Sequence, residues 1–117
     1  MNEMTFMVDG GKKTQKVESD SPLQTTAAKP SAGSNSSVTA TVASSTVLAE
    51  NASRLGATIY NEGASTCYIS LTSVATTTSY TLQVASGGYF ECPFWYTGII
   101  SGITASGTAV LRITEVT

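Results

Sequence analysis

Apolar and polar residues alternate along most of the chain after residue 34, and this alternation predicts short β-strands. Residues 38–42 (Val-Thr-Ala-Thr-Val) and residues 55–60 (Leu-Gly-Ala-Thr-Ile-Tyr) show it clearly. A period of two places one side of a strand in a core and the other side in water. Residues 61–64 (Asn-Glu-Gly-Ala) and 86–88 (Ser-Gly-Gly) are typical of turns. The spacing predicts about eight short strands, an all-β domain and an antiparallel sandwich or barrel.

The residues expected to face the core are the larger apolar ones on one side of each predicted strand. Burial of each such side chain is worth ~1.5–3 kcal/mol, so a small sandwich can form without a metal. The same alternation predicts that Cys67 and Cys92 are buried and reduced, although a disulfide between them is the alternative. The predicted inward set is Val38, Val42, Val47, Leu55, Ile59, Ile69, Leu71, Leu82, Val84, Phe90, Ile103, Leu111 and Ile113.

The first 33 residues differ in composition from the rest. They hold all four lysines and four of the eight acids, while Gly10-Gly11, Pro22 and Pro30 interrupt any regular period. One short apolar cluster, residues 4–8, is too small to form a core. We therefore expect an extended N-terminal arm and linker over residues 1–33, ordered by a partner, and a β-sandwich domain over residues 34–117.

Composition and charge exclude several functional classes. A net charge of −2 disfavours nucleic-acid binding, and no apolar run reaches the ~18 residues of a membrane helix. The chain has no histidine, which removes the commonest general base and metal ligand. Thr and Ser instead occupy 35 of the 117 positions, as suits a sheet surface. We expect no catalytic residues, no metal site and no cofactor.

The few charged residues after residue 34 have two interpretations. A pair among Glu62, Glu91 and Glu115 would suit a glycosidase, whereas solubilising charge on a nearly uncharged sheet is the favoured interpretation. Arg54 and Arg112 are the two arginines of the chain, and each is expected to form a structural ion pair with Glu62 or Glu115, or an interface contact.

Five aromatic residues lie within eight positions, and the sequence leaves their role open. They suit an anchor in a protein interface, a plug at one end of the sandwich, or a stacking platform for a sugar or a base. The absence of basic residues nearby argues against a base. The five are Tyr89, Phe90, Phe94, Trp95 and Tyr96.

The order of motifs over residues 50–117 resembles a known family. It runs through residues 57–63 (Ala-Thr-Ile-Tyr-Asn-Glu-Gly), 67–71 (Cys-Tyr-Ile-Ser-Leu), 80–84 (Tyr-Thr-Leu-Gln-Val), 87–93 (Gly-Gly-Tyr-Phe-Glu-Cys-Pro) and 110–115 (Val-Leu-Arg-Ile-Thr-Glu). It is similar to small virion proteins of tailed bacteriophages, among them capsid decoration (cement) proteins and head or tail accessory proteins.

The resemblance implies a jelly-roll-like sandwich that decorates or cements a phage capsid without catalysis. The implied partners are the major capsid protein and other copies of the chain in a homotrimer, with no nucleic acid and no membrane, in a virion assembled in the host cytoplasm. Two alternatives remain, a tail or neck accessory protein and a carbohydrate-binding adhesin that uses residues 89–96. The expected contact residues are Met4, Phe6, Val8, Tyr89, Phe94, Trp95 and Tyr96.

Overall fold

The computed structural model describes residues 29–93 and 96–117. In this part of the chain there are eight strands and no helix, which confirms the predicted all-β class. The strands are β1 (Gly33–Ala40), β2 (Ser45–Leu48), β3 (Gly56–Asn61), β4 (Cys67–Ser70), β5 (Leu82–Val84), β6 (Tyr89–Glu91), β7 (Ile100–Thr104) and β8 (Ala109–Val116).

The strands form two antiparallel sheets of four. The first sheet has the order β1-β8-β3-β6 and the second has the order β2-β7-β4-β5. The first strand pairs with the last, the second with the second-last, and so on inward. The pairs are β1 with β8, β2 with β7, β3 with β6 and β4 with β5. The chain therefore behaves as one long hairpin whose paired segments lie alternately in the two sheets.

The core consists of apolar side chains from all eight strands or their ends. Six of the predicted inward residues are buried, namely Val47, Ile59, Ile69, Val84, Leu111 and Ile113. Four more are half-buried and pack against them, namely Val38, Leu71, Leu82 and Phe90. Alternation along the strands thus predicted most of the core.

Two of the predicted inward positions are wrong, and a third is only partly buried. Val42 is 62% exposed, because β1 ends at Ala40 and the chain turns toward the second sheet, where Thr41 O accepts a hydrogen bond from Thr104 N. Ile103 lies on the outer side of β7, since its neighbour Gly102 faces the core: a Cβ there would lie 2.9 Å from Val47 Cγ2. Leu55 precedes β3 and is half-buried beside an open groove.

Asn61 joins two turns at one end of the sandwich. Its fully buried side chain donates from Nδ2 to Ser65 O at 2.8 Å and to Val84 O at 2.9 Å. Its Oδ1 accepts a hydrogen bond from Gly63 N at 2.9 Å. A buried polar group is stable only when it is hydrogen-bonded, so this side chain fixes the β3–β4 and β5–β6 connections relative to each other.

A loop of the chain covers part of the outer side of the second sheet. Residues 71–81 leave β4 and fold back, so that Ala75 is fully buried and its N–H donates to Ser44 Oγ at 2.9 Å. Ser70 and Ser101 are paired across β4 and β7 and are buried, although their strand neighbours Ile69 and Gly102 face the core. These two serines are therefore covered, whereas Thr46 and Gln83, which face the same side of the sheet, are exposed.

Candidate interaction face

The outer side of the first sheet carries exposed side chains from all four of its strands. Because Ala57, Ile59, Leu111 and Ile113 face the core, the intervening residues face outward. Strand register sets these residues in two rows across the sheet. We call this surface the open face; its rows are Ser37, Arg112, Tyr60 and Tyr89, and Asn35, Thr114, Thr58 and Glu91.

Two tyrosines lie side by side on the open face. Tyr60 of β3 is directly opposite Tyr89 of β6, and they are 44% and 72% exposed. Residues that are directly opposite on adjacent strands have Cβ atoms about 4.5–5.5 Å apart, so the two side chains are neighbours on this surface. Exposed aromatic side chains of this kind are enriched in binding sites.

An exposed ion pair flanks the tyrosines. Arg112, which is opposite Tyr60 in the register, donates from Nε and Nη2 to Glu62 Oε2, each at 2.8 Å. The two side chains are 59% and 38% exposed, so the pair adds only about 0–1 kcal/mol to stability. Its main effect is to hold a guanidinium group beside the aromatic surface.

The rest of the open face is hydroxyl-rich and shallowly grooved. Thr114 Oγ1 donates to Asn35 Oδ1 at 2.8 Å, which links β8 to β1. One groove of about 520 Å³ crosses β1, β8 and β3 over Ser37, Thr58 and Arg112. A second of about 550 Å³ lies toward the other end, over Gly56, Glu91, Pro93 and Val116. Both are open surfaces rather than enclosed cavities, which suits an extended partner.

Arg54 serves the fold rather than the open face. It is almost fully buried and donates to Glu115 Oε2 at 2.7 Å, to Ala49 O at 2.6 Å and to Gly98 O at 2.8 Å. The expectation that both arginines form ion pairs with Glu62 and Glu115 is confirmed. Two of the three carboxylates considered for catalysis are therefore held by arginines.

Both cysteines are free and buried, as predicted. Burial raises the pKa of the Cys67 thiol from 9.0 to about 11, and a backbone hydrogen bond at Ile103 opposes this effect. Burial also raises the pKa of Cys92, with an opposing contribution from the positive charge of Arg54. Neither thiol has the lowered pKa of a reactive cysteine.

The aromatic residues of the predicted contact set have different environments. Tyr89 is on the open face, whereas Tyr96 is half-buried against the core and its hydroxyl donates to Leu71 O at 2.9 Å. Phe90 also packs against the core. The remaining predicted contact residues, Met4, Phe6, Val8, Phe94 and Trp95, lie outside the described residues.

Sequence reasoning considered an interface contact for Arg112 but did not place it beside Tyr60 and Tyr89. Alternation places Tyr60 outward, but its neighbours come from strands that are distant in sequence. Arg112 is 52 positions after Tyr60, and Tyr89 is 29 positions after it. Only the sheet order unites them.

Metal-binding and membrane-spanning features are absent from residues 29–93 and 96–117. These residues contain no group of three His, Cys, Asp or Glu side chains placed to hold a metal ion. In the same ranges there is no helix of the length and apolar character needed to cross a membrane.

Comparison of the chain with protein-family models, with curated proteins and with solved structures finds no match. A functional assignment therefore rests on the fold and on the open face.

Proposed function

We propose that this chain is a non-enzymatic structural protein of a tailed-phage virion, which decorates or cements the capsid by bridging neighbouring copies of the major capsid protein. The observation that carries the proposal is the difference between the two sheets. The loop of residues 71–81 covers part of the second sheet, whereas the open face presents side chains from all four of its strands to solvent, Tyr60 and Tyr89 among them. Such a molecule has one side suited to a partner surface.

The strand pairing supports a jelly-roll assignment for the sandwich. Pairing of β1 with β8, β2 with β7, β3 with β6 and β4 with β5 is what results when one long hairpin is rolled into two sheets. Jelly rolls are frequent in viral capsid proteins and in lectins. This agrees with the resemblance of residues 50–117 to small virion proteins.

The chemistry of the surface favours binding over catalysis. Glu62 and Glu115 are each held by an arginine, and the chain has no histidine to act as a general base. Hydroxyls, one amide, one ion pair and two tyrosines make up most of the open face. These groups form hydrogen bonds and apolar contacts with a partner that has an ordered surface.

Self-association is part of the proposal. The core is small, and contact with other copies, proposed as a homotrimer, adds stability to a small domain. Residues 31–33 of the proposed arm pair with the end of β8, so the residues before them would complete the contact with the capsid or with another copy. The proposed site is a virion assembled in the host cytoplasm.

The experiment is to determine the copy number and position of the chain in purified virions, by quantitative mass spectrometry and cryo-electron microscopy. Decoration predicts hundreds of copies on the head lattice. A dozen or fewer copies would indicate the tail or neck and contradict decoration, and absence from the virion would contradict a structural role altogether.

A second candidate function is carbohydrate binding by an accessory adhesin. It is favoured by the Tyr60–Tyr89 pair beside Arg112, because tyrosine rings supply an apolar surface and the flanking polar groups can orient a sugar. A glycan array with the full chain tests it. Specific binding that is lost in Tyr89→Ala and retained in Tyr80→Ala, an exposed tyrosine outside the open face, would favour this function over decoration.

A further inference from the structure

The free edge of β1 is the least protected strand edge among the described residues. Proteins guard sheet edges with short strands, charges, prolines or bulges. β6 and β5 have three residues each, β6 is followed closely by Pro93, and the pairing of β2 shifts register between Thr46 and Leu48. β1 has eight residues with no charge, no proline and an unbroken register.

The hydrogen-bonding groups on that edge follow from the pairing of β1 with β8. Ala32 and Thr117 exchange two backbone hydrogen bonds, of 3.4 and 2.9 Å, so they are a hydrogen-bonded pair. In an antiparallel ladder such pairs recur at every second residue, and the residues between them point their N–H and C=O groups away from the partner. Those outward residues of β1 are Gly33, Asn35, Ser37 and Thr39.

The hydrogen bonds between β8 and β3 confirm which residues of β8 direct their backbone groups toward β1. Val116 O accepts from Leu55 N at 2.8 Å and Val110 O accepts from Glu62 N at 2.9 Å, so alternate residues of β8 bond toward β3. Their neighbours bond toward β1. The free edge of β1 therefore presents four N–H and four C=O groups in the arrangement that accepts another strand.

We propose that this edge accepts residues 4–8 of a second copy as an added strand. These residues, Met-Thr-Phe-Met-Val, alternate with Met4, Phe6 and Val8 on one side and Thr5 and Met7 on the other. Four of the five residues are apolar, as in a strand that is buried on assembly, and five residues are enough to pair with part of the eight-residue edge.

The length of the connection favours a second copy over the same chain. Residues 9–32 separate the segment from β1, and 24 residues reach up to ~80 Å when extended. Hairpins usually have loops of about 2–5 residues, and a connection this long is typical of a linker between separate contacts. Head-to-tail addition of each segment to the next copy closes into a ring, as the proposed homotrimer requires.

The inference rests on the self-association in the proposed function, and it is tested on purified full-length protein without virions. Ser37→Pro blocks the edge by removing an N–H that does not bond to β8. Phe6→Asp with Val8→Asp blocks the donor segment. Thr25→Asp with Thr26→Asp is the charge-matched control, and circular dichroism verifies that each variant is folded.

Complementation is the decisive result. By sedimentation analysis, the wild type and the control should self-associate, and neither blocked variant should do so alone. A mixture should form a one-to-one complex, because the Ser37→Pro chain keeps its segment and the Phe6→Asp/Val8→Asp chain keeps its edge. A monomeric wild type, blocked variants that associate as the wild type does, or a mixture that stays monomeric would each overturn the proposal.

Amide hydrogen exchange provides a second readout if Ser37→Pro does not fold. The amides of Gly33, Asn35, Ser37 and Thr39 should exchange at least about tenfold more slowly in associated wild type than in Phe6→Asp/Val8→Asp. Equal exchange rates in the two would overturn the proposal, as would protection that persists in wild-type monomer, since that would indicate addition within one chain. These measurements use purified protein, so their result does not depend on whether the chain attaches to virions. The strand-addition proposal and the proposed virion function can therefore be contradicted separately.

Discussion

Arg54 and Glu115, 61 positions apart in the chain, form an ion pair with 2.7 Å between Nε and Oε2. The guanidinium is fully buried and also donates to the carbonyl oxygens of Ala49 and Gly98. One side chain therefore joins the end of β8, the segment after β2 and the segment before β7. The end of the sandwich depends on it.

Replacing Arg54 with alanine should lower the free energy of unfolding by about 3–5 kcal/mol, because it leaves the Glu115 carboxylate and two carbonyls without their donor. Arg112→Ala is the matched control, since it removes the exposed ion pair with Glu62 and should cost at most about 1 kcal/mol. Urea denaturation of the two variants provides the comparison. Equal decreases in the free energy of unfolding would show that the buried ion pair of Arg54 stabilises the fold no more than the exposed pair of Arg112.

Asn61→Asp should destabilise the fold strongly. The substitution replaces the Nδ2 donor that faces Ser65 O and Val84 O with an oxygen, and each buried carbonyl left unsatisfied costs about 1–3 kcal/mol. Asn35→Asp should be close to neutral, because the Oδ1 of Asn35 is an acceptor and its side chain is exposed. Thermal unfolding distinguishes them, and a small effect of Asn61→Asp would mean that the turns do not depend on this side chain.

Gly63→Ala should prevent the close approach of the β3–β4 turn to β8. A Cβ at this position would clash with Val110 N and would lie 2.9 Å from Ala109 Cα, so the backbone must move. A Cβ on Gly33 meets only side-chain methyls at 3.8 Å or more, and Gly33→Ala should change stability by less than about 0.5 kcal/mol. A midpoint of unfolding for Gly63→Ala close to that of Gly33→Ala would contradict the close approach.

Stability should fall at alkaline pH because of Cys67. Its pKa is raised from 9.0 to about 11 by burial, so the folded state holds the thiol proton more tightly than the unfolded state. The resulting stability is complete below pH 9 and is lost as the pH rises toward 11, by roughly 2–3 kcal/mol for a shift of this size. Denaturation at several pH values should show a shallower decline in Cys67→Ala than in wild type; identical slopes would count against burial as the cause.

Alternation along the strands predicted the fold class, the number of strands and ten of the thirteen inward residues. It failed at Ile103, which was expected to face the core because it is large and apolar, whereas its neighbour Gly102 faces the core. Inward glycine is explained by space: Val47 and Cys67 of neighbouring strands occupy the volume that a side chain on residue 102 would need. Such a fit depends on the sheet order, which alternation does not contain.

The open face was less predictable than the core. Tyr89 was expected to make contacts, but Tyr60 and Arg112 become its neighbours only through the pairing of β3 with β6 and β8. Tyr96, expected in the same contact set, is half-buried and packs against the core, and its hydroxyl donates to the carbonyl of Leu71. Proximity in sequence is a poor guide where strands of one sheet are distant in the chain.

On the proposed function, attachment to virions through the open face is tested most directly by counting bound copies of a face variant. Particles that lack the chain are incubated with full-length wild type, with Tyr60→Ser/Tyr89→Ser, or with the control Tyr80→Ser, and bound copies are counted by quantitative mass spectrometry. Loss of an interface anchor costs about 2 kcal/mol or more, roughly 30-fold in affinity. The double variant should therefore bind at least about 30-fold more weakly while Tyr80→Ser binds as the wild type does; undiminished occupancy by the double variant would contradict the open face as the attachment surface.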